Sequence, residues 1–169
     1  MYTLMIYLNA RCCLLSLIEF NTDIVSGHSI GNICLKSNIS EYIGEMNDKY
    51  SLCTYEYKLP DGDKRISYIL NQCITIVTFV DGNIFSIGCN LAYTGRYKNI
   101  LYTGQSVGEI IKYTQLQRIF NGSLIIDNDF GFSFILPPPY DEIGDSINCL
   151  PSHLRLNEIY VSDFSSWKI

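Results

Sequence analysis

The sequence predicts an α+β domain, a largely antiparallel sheet with helices on one face, built from two related helix-plus-sheet halves. Short strand-like runs are separated by tight turn signals, which favours hairpins over parallel crossovers. Two amphipathic helical patterns each open on a capping signal. A third observation is an internal echo: Gly27-His28-Ser29-Ile30-Gly31-Asn32-Ile33 resembles Gly104-Gln105-Ser106-Val107-Gly108-Glu109-Ile110, 77 residues further on.

Residues 1–20 are apolar enough to suggest a leader, but no basic residue precedes the apolar stretch, and Arg11 and Glu19 break it. These runs fall short of the roughly 20 apolar residues that span a bilayer. The better expectation is an N-terminal hairpin, with strands near 2–8 and 12–20; Met5 offers an alternative start. In the first half, Asn38 with Glu41 caps a helix whose Ile39, Tyr42, Ile43 and Met46 share one face. Strands then follow at 51–59 and 65–70 around Pro60-Asp61-Gly62-Asp63, and at 73–80 and 84–90 around Asp81-Gly82. In the second half, Ser106 and Glu109 form a capping box, and Tyr113, Leu116 and Phe120 extend the helix to a stop at Asn121-Gly122. Strands at 123–127 and 130–136 turn at Asn128-Asp129. Pro137-Pro138-Pro139 ends the second of them, because three successive residues lack a backbone donor. A helix near 141–148 and a strand near 155–161 complete the chain. No low-complexity linker divides residues 1–169, so they form one domain with related halves at about 27–103 and 104–169. This tandem layout resembles that of the β-lactamase inhibitory proteins.

Composition narrows the function. Of 169 residues, 47% are hydrophobic, with 13 Tyr and 8 Phe, so the chain folds rather than remaining disordered. Residues 1–126 carry ten acidic and ten basic side chains; residues 127–169 carry seven acids against Arg155 and Lys168. The whole net charge of −5 therefore lies in the last 43 residues. Such a region repels nucleic acid and attracts basic partners, or is simply a solvated surface. Seven cysteines without a C-x-x-C pair or a Cys/His cluster argue against structural zinc. Their apolar surroundings suit free thiols in the reducing cytoplasm. No phosphate-binding glycine loop is present, and no cofactor is expected.

Gly27-His28-Ser29-Ile30-Gly31 fits the G-x-S-x-G elbow of esterases, and Asp141 or Asp145 and then His153 follow in the order of a triad. The elbow needs a strand-to-helix turn above a parallel sheet, and the flanking sequence supplies neither. The same pattern recurs at Gly104–Gly108, which a structural repeat explains and a single active site does not. The serines are expected to cap turns; an esterase using Ser29 and His153 is the alternative. Asp127-Asn128-Asp129 resembles the start of a calcium loop but lacks its distal Glu. Asp141 and Asp145, four residues apart, are expected on one helical face beside Glu142. Pro137-Pro138-Pro139-Tyr140 has the pattern of a WW-domain ligand, or serves as a rigid connector presenting Tyr140.

The stretches Gly122–Gly131, Tyr140-Asp141-Glu142-Ile143 and Leu156-Asn157-Glu158-Ile159-Tyr160-Val161 resemble small immunity proteins of bacterial polymorphic toxin and contact-dependent growth inhibition systems. The likeness covers residues 104–161 and, more weakly, 27–43. It implies a cytoplasmic, non-enzymatic protein that binds and neutralises a cognate toxin, often a basic nuclease. No contact residues carry over from the family; the charge pattern, the rigid triproline and the tyrosine after it place the expected contact surface at Tyr140, Asp141, Glu142 and Asp145, with Asp127 and Asp129.

Overall fold

The computed structural model describes residues 18–167, so all but the last three residues of the expected N-terminal hairpin fall outside the described residues. Ile18 is buried, its N–H donating to Glu45 (3.2 Å) and its carbonyl accepting from the Tyr50 hydroxyl (2.8 Å). Strands β1 (Ser29–Ile30) and β2 (Ile33–Cys34) form a small hairpin. Its two turn residues, Gly31 and Asn32, have φ of 63° and 65°. A side chain at Gly31 would meet the Glu19 carbonyl at 2.8 Å, so the position needs both the left-handed backbone and the missing Cβ.

The first capping box forms as the sequence requires: Asn38 accepts from the Ser40 N–H, and Glu41 accepts from the Asn38 N–H. It opens a 3₁₀ turn over Ile39–Glu41 that leads into α1 (Ile43–Lys49). Ile39, Tyr42 and Met46 are buried on one side. Four antiparallel strands follow: β3 (Leu52–Lys58), β4 (Lys64–Leu70), β5 (Ile74–Thr78) and β6 (Ile84–Cys89).

The second half opens on β7 (Gln105–Ser106) and α2 (Val107–Tyr113), capped by Ser106 and Glu109. The helix ends seven residues earlier than its hydrophobic spacing predicts. Thr114 is extended, and residues 117–120 form β8 (Gln117–Phe120). Asn121-Gly122 is the turn of a hairpin into β9 (Ser123–Ile126), with φ of 46° and 72°. Two adjacent left-handed residues match the right-handed twist of paired strands, so the dipeptide is a hairpin signal rather than a helix stop. The next turn carries its positive φ at Asp127 and Asn128, one residue before the expected position. It leads to β10 (Phe132–Ile135), α3 (Tyr140–Ile143) and a 3₁₀ turn over Ile147–Cys149. Strands β11 (Arg155–Leu156) and β12 (Glu158–Ser162) follow, β11 pairing with β7.

The molecule is α+β, with an eight-stranded antiparallel sheet in the order β3-β4-β5-β6-β12-β10-β9-β8. Each half contributes four strands, and the halves meet where β6 pairs with β12. Register aligns Leu70, Ile74, Cys89, Ile159, Phe134 and Leu124 in one row across the sheet. Tyr68, Ile76, Ile87, Val161 and Phe132 form the next row on the same face. Met46 of α1 and Val107 and Ile110 of α2 join this cluster, so both helices cover that face. Each large apolar side chain buried there contributes about 1.5–3 kcal/mol.

The internal echo does not superpose as local structure. Gly31 sits in a hairpin turn ahead of the Asn38 cap, whereas Ser106 caps its helix directly and Gly108 lies inside α2. The shared glycines serve different needs: Gly108 approaches the Ser152 carbonyl, where a Cβ would lie 3.1 Å away.

Candidate functional site

Among the described residues, the acidic segment folds into two clusters at opposite ends of the sheet. β10 runs between them: Phe132 pairs with Val161 at one end and Ile135 with Glu158 at the other. Asp127, Asp129 and Asp163 lie at the first end, and Asp141, Glu142, Asp145 and Glu158 at the second. The expected contact set is therefore split by the length of a strand, because antiparallel connections return the chain to alternate ends.

At the first end the carboxylates are engaged by the fold. Asp127 Oδ1 accepts from the backbone of Gln115 (2.7 Å) and Leu116 (2.9 Å), which fixes the passage from α2 to β8. Asp129 accepts from the Ser26 hydroxyl, the Tyr97 hydroxyl and the Gly131 N–H. Gly27 N–H donates to the Gly131 carbonyl at 2.9 Å, so Asp129 stands where residues 26–27 meet the β9–β10 turn. Burial opposes ionisation of Asp129, but the three donors outweigh it and hold its pKa below the ordinary carboxylate value. Burial and the Asp129 carboxylate push the Tyr97 phenol upward, so this hydroxyl stays protonated as a donor. The Tyr97 ring stacks on Phe132 with centroids 4.2 Å apart.

The second end is a presented surface. The triproline supplies carbonyls without competing donors: Tyr140 N–H bonds to Pro137, and Glu142 and Ile143 N–H to Pro139. One helical turn results and stops at Gly144, where a Cβ would lie 2.6 Å from the Tyr140 carbonyl. Asp141 and Asp145 do not share a helical face, because α3 ends at Ile143 and Gly144 is extended. Tyr140 is half-buried and packs on the core with Ile147, while Leu136 and Leu150 are buried. Tyr140 is thus the anchor of this cap and not its exposed centre. Asp141 is half-buried, with Oδ1 sealed from solvent and without a hydrogen-bond partner. Glu142 and Asp145 are exposed, and between them Ile143 is 63% exposed. A cleft of about 280 Å³ beside the cap is lined by Arg118, Phe120, Ile125, Phe130, Asp145 and Ile147.

Ser29 lies in the β1 strand, 8% exposed, with no helix directly after it. Its backbone closes a turn with Val25 (2.9 Å in both directions), and no hydrogen bond joins its hydroxyl to His28 or His153, both exposed. The side chain of Ser106 caps its helix as expected, whereas Ser29 closes its turn through the backbone and not through its hydroxyl. No group of three or more potential metal-ligating side chains occurs among the described residues. No helix among them is long and apolar enough to cross a membrane.

Sequence reasoning missed an aromatic surface on the sheet face opposite the helices. Arg65 stacks over Phe79 (4.6 Å) and Phe85 (5.6 Å), and the two rings meet edge to face at 5.4 Å. Tyr55 and Tyr57 on β3 are 56% and 41% exposed. The signal was present: aromatics at 55 and 57 alternate with Thr54, Glu56 and Lys58, as in a strand with two unlike faces. No protein family, curated protein or solved structure matches the chain.

Proposed function

We propose that this chain is an immunity protein that binds and neutralises a cognate bacterial toxin, a basic nuclease, without catalysing a reaction. The observation that carries this reading is Ile143, a large apolar side chain held in solvent between Glu142 and Asp145 on a cap anchored through Tyr140. An apolar contact rimmed by like charges suits a basic partner: the acids accelerate encounter and the central side chain slows release. Relative to the sequence-based surface, the contact centre moves from Tyr140 to Ile143, and Asp127 and Asp129 are assigned to holding the fold. A cytoplasmic location is supported by the cysteines, since the thiols of Cys53, Cys73, Cys89 and Cys149 stand outside any disulfide.

The test is co-expression with the product of any toxin-like gene found directly upstream of this one. Wild type is expected to restore growth and co-purify with the toxin, whereas Ile143→Asp, folded as judged by circular dichroism, does neither. Full protection by that variant would contradict the assignment of the surface. A toxin that neither binds nor is blocked by wild type would contradict the reading itself.

A further inference from the structure

We propose that the chain forms a two-fold dimer by antiparallel pairing of β3 with β3 of a second copy. Among the described residues β3 is an edge of the sheet and pairs only with β4, in unbroken register from Leu52–Leu70 to Lys58–Lys64. Six of its seven residues are exposed. It carries neither the bulge nor the internal proline with which proteins commonly block such an edge.

The backbone fixes which groups are free. The Ser51 carbonyl accepts from Asn71 (2.8 Å) and the Leu59 N–H donates to Asp63 (2.7 Å), so odd-numbered residues face β4. Because ladder bonds alternate along a strand, Leu52, Thr54, Glu56 and Lys58 turn their N–H and C=O outward. In a two-fold pairing centred on Tyr57, Glu56 of one copy stands opposite Lys58 of the other, and the reverse. Both residues are outward-facing, so each such pair is also a hydrogen-bonded pair. Glu56 uses Oε1 for Lys64 at 2.6 Å and is 57% exposed, which leaves Oε2 for the second copy. A pairing centred on Glu56 would instead oppose two like charges, which is unfavourable across a strand pair. The charge order at the end of β3 therefore complements itself in the register centred on Tyr57, which pairs residues 56–58 of the two copies. On the other face, Tyr57 of each copy would meet its twin and join the rows of Arg65, Phe79 and Phe85.

This dimer is independent of the toxin contact. The cap lies by the β8–β9 turn, where Gly122 meets Asp141, at the sheet edge away from β3.

Sedimentation velocity over a concentration series tests the pairing. Wild type is expected to shift from monomer to dimer with rising concentration. Glu56→Lys alone and Lys58→Glu alone are each expected to stay monomeric, because each places like charges opposite one another. An equimolar mixture of the two variants is expected to recover the dimer, since every cross-strand pair is then opposite in sign. A cysteine at the two-fold reads the register: in a Cys53→Ser background, Tyr57→Cys should cross-link on mild oxidation and Tyr55→Cys should not. A wild type that is monomeric throughout, a mixture that fails to recover the dimer, or cross-linking at position 55 in place of 57 would overturn the proposal. None of these outcomes bears on toxin protection, so the two readings fail separately.

Discussion

The ring of Tyr160 on β12 occupies the space a side chain would take at Gly88 on β6, the strand through which the two halves of the sheet meet. The phenol is half-buried, and burial raises its pKa most, with Glu158 adding to the effect and a hydrogen bond to Thr75 opposing it. Gly88→Ala should therefore overpack the joint and destabilise the fold by about 1–3 kcal/mol. Adding Tyr160→Ala should recover part of that loss, a coupling measured by urea denaturation of the two single variants and the double.

The Asp129 cluster makes a second prediction. Asp129→Ala leaves the Ser26 and Tyr97 hydroxyls without their acceptor and should cost about 1–3 kcal/mol at neutral pH. The folded pKa lies below the unfolded value, so the charged carboxylate stabilises the fold fully above the ordinary Asp pKa of about 3.9. That contribution is lost as pH falls through the lower folded value. The stability gap between wild type and Asp129→Asn should accordingly be flat from pH 7 to 5 and narrow in the acid range. A gap that widens on acidification would contradict the assignment.

Each helix should depend on its cap. Asn38→Ala and Ser106→Ala should each cost about 0.5–2 kcal/mol, measured by thermal or urea unfolding. The two boxes serve different helices and are built from different residues, so the double variant should show the sum of the two losses.

Gly122 links fold to cap. It holds φ of 72°, and a Cβ there would stand 3.0 Å from the Asp141 carbonyl. Gly122→Ala should cost about 1–2 kcal/mol from the left-handed backbone alone. It should also displace the cap and weaken toxin binding, whereas Asn121→Gly, which keeps the turn permissive, should leave binding intact.

Much of the fold was legible because local signals and tertiary packing agree. The hairpin from Leu52 to Leu70, the capping boxes at Asn38 and Ser106, and the buried face of Ile39, Tyr42 and Met46 all follow from spacing. Leu116 and Phe120 misled because their helical spacing also suits a short strand; Asp127 holding the backbone of Gln115 and Leu116 decides the matter, a contact between residues 11 and 12 apart. The acidic segment misled differently. Contiguity in sequence suggested one surface, but a strand carries the chain from one end of the sheet to the other between Asp129 and Asp141. Tyr140 could not be distinguished from a contact residue without knowing that Leu136, Ile147 and Leu150 gather beneath the cap.

The central claim is that the exposed cap carries the toxin contact. Its most direct test is the association rate of the cognate toxin with wild type and with Glu142→Lys/Asp145→Lys, measured at low and at high salt. Asp141 is left unchanged because its Oδ1 is sealed in the fold. The account predicts a correctly folded double variant whose association is slowed at least about tenfold at low salt, with a much weaker salt dependence than wild type. Unchanged rates at both salt concentrations, with the fold intact, would contradict it.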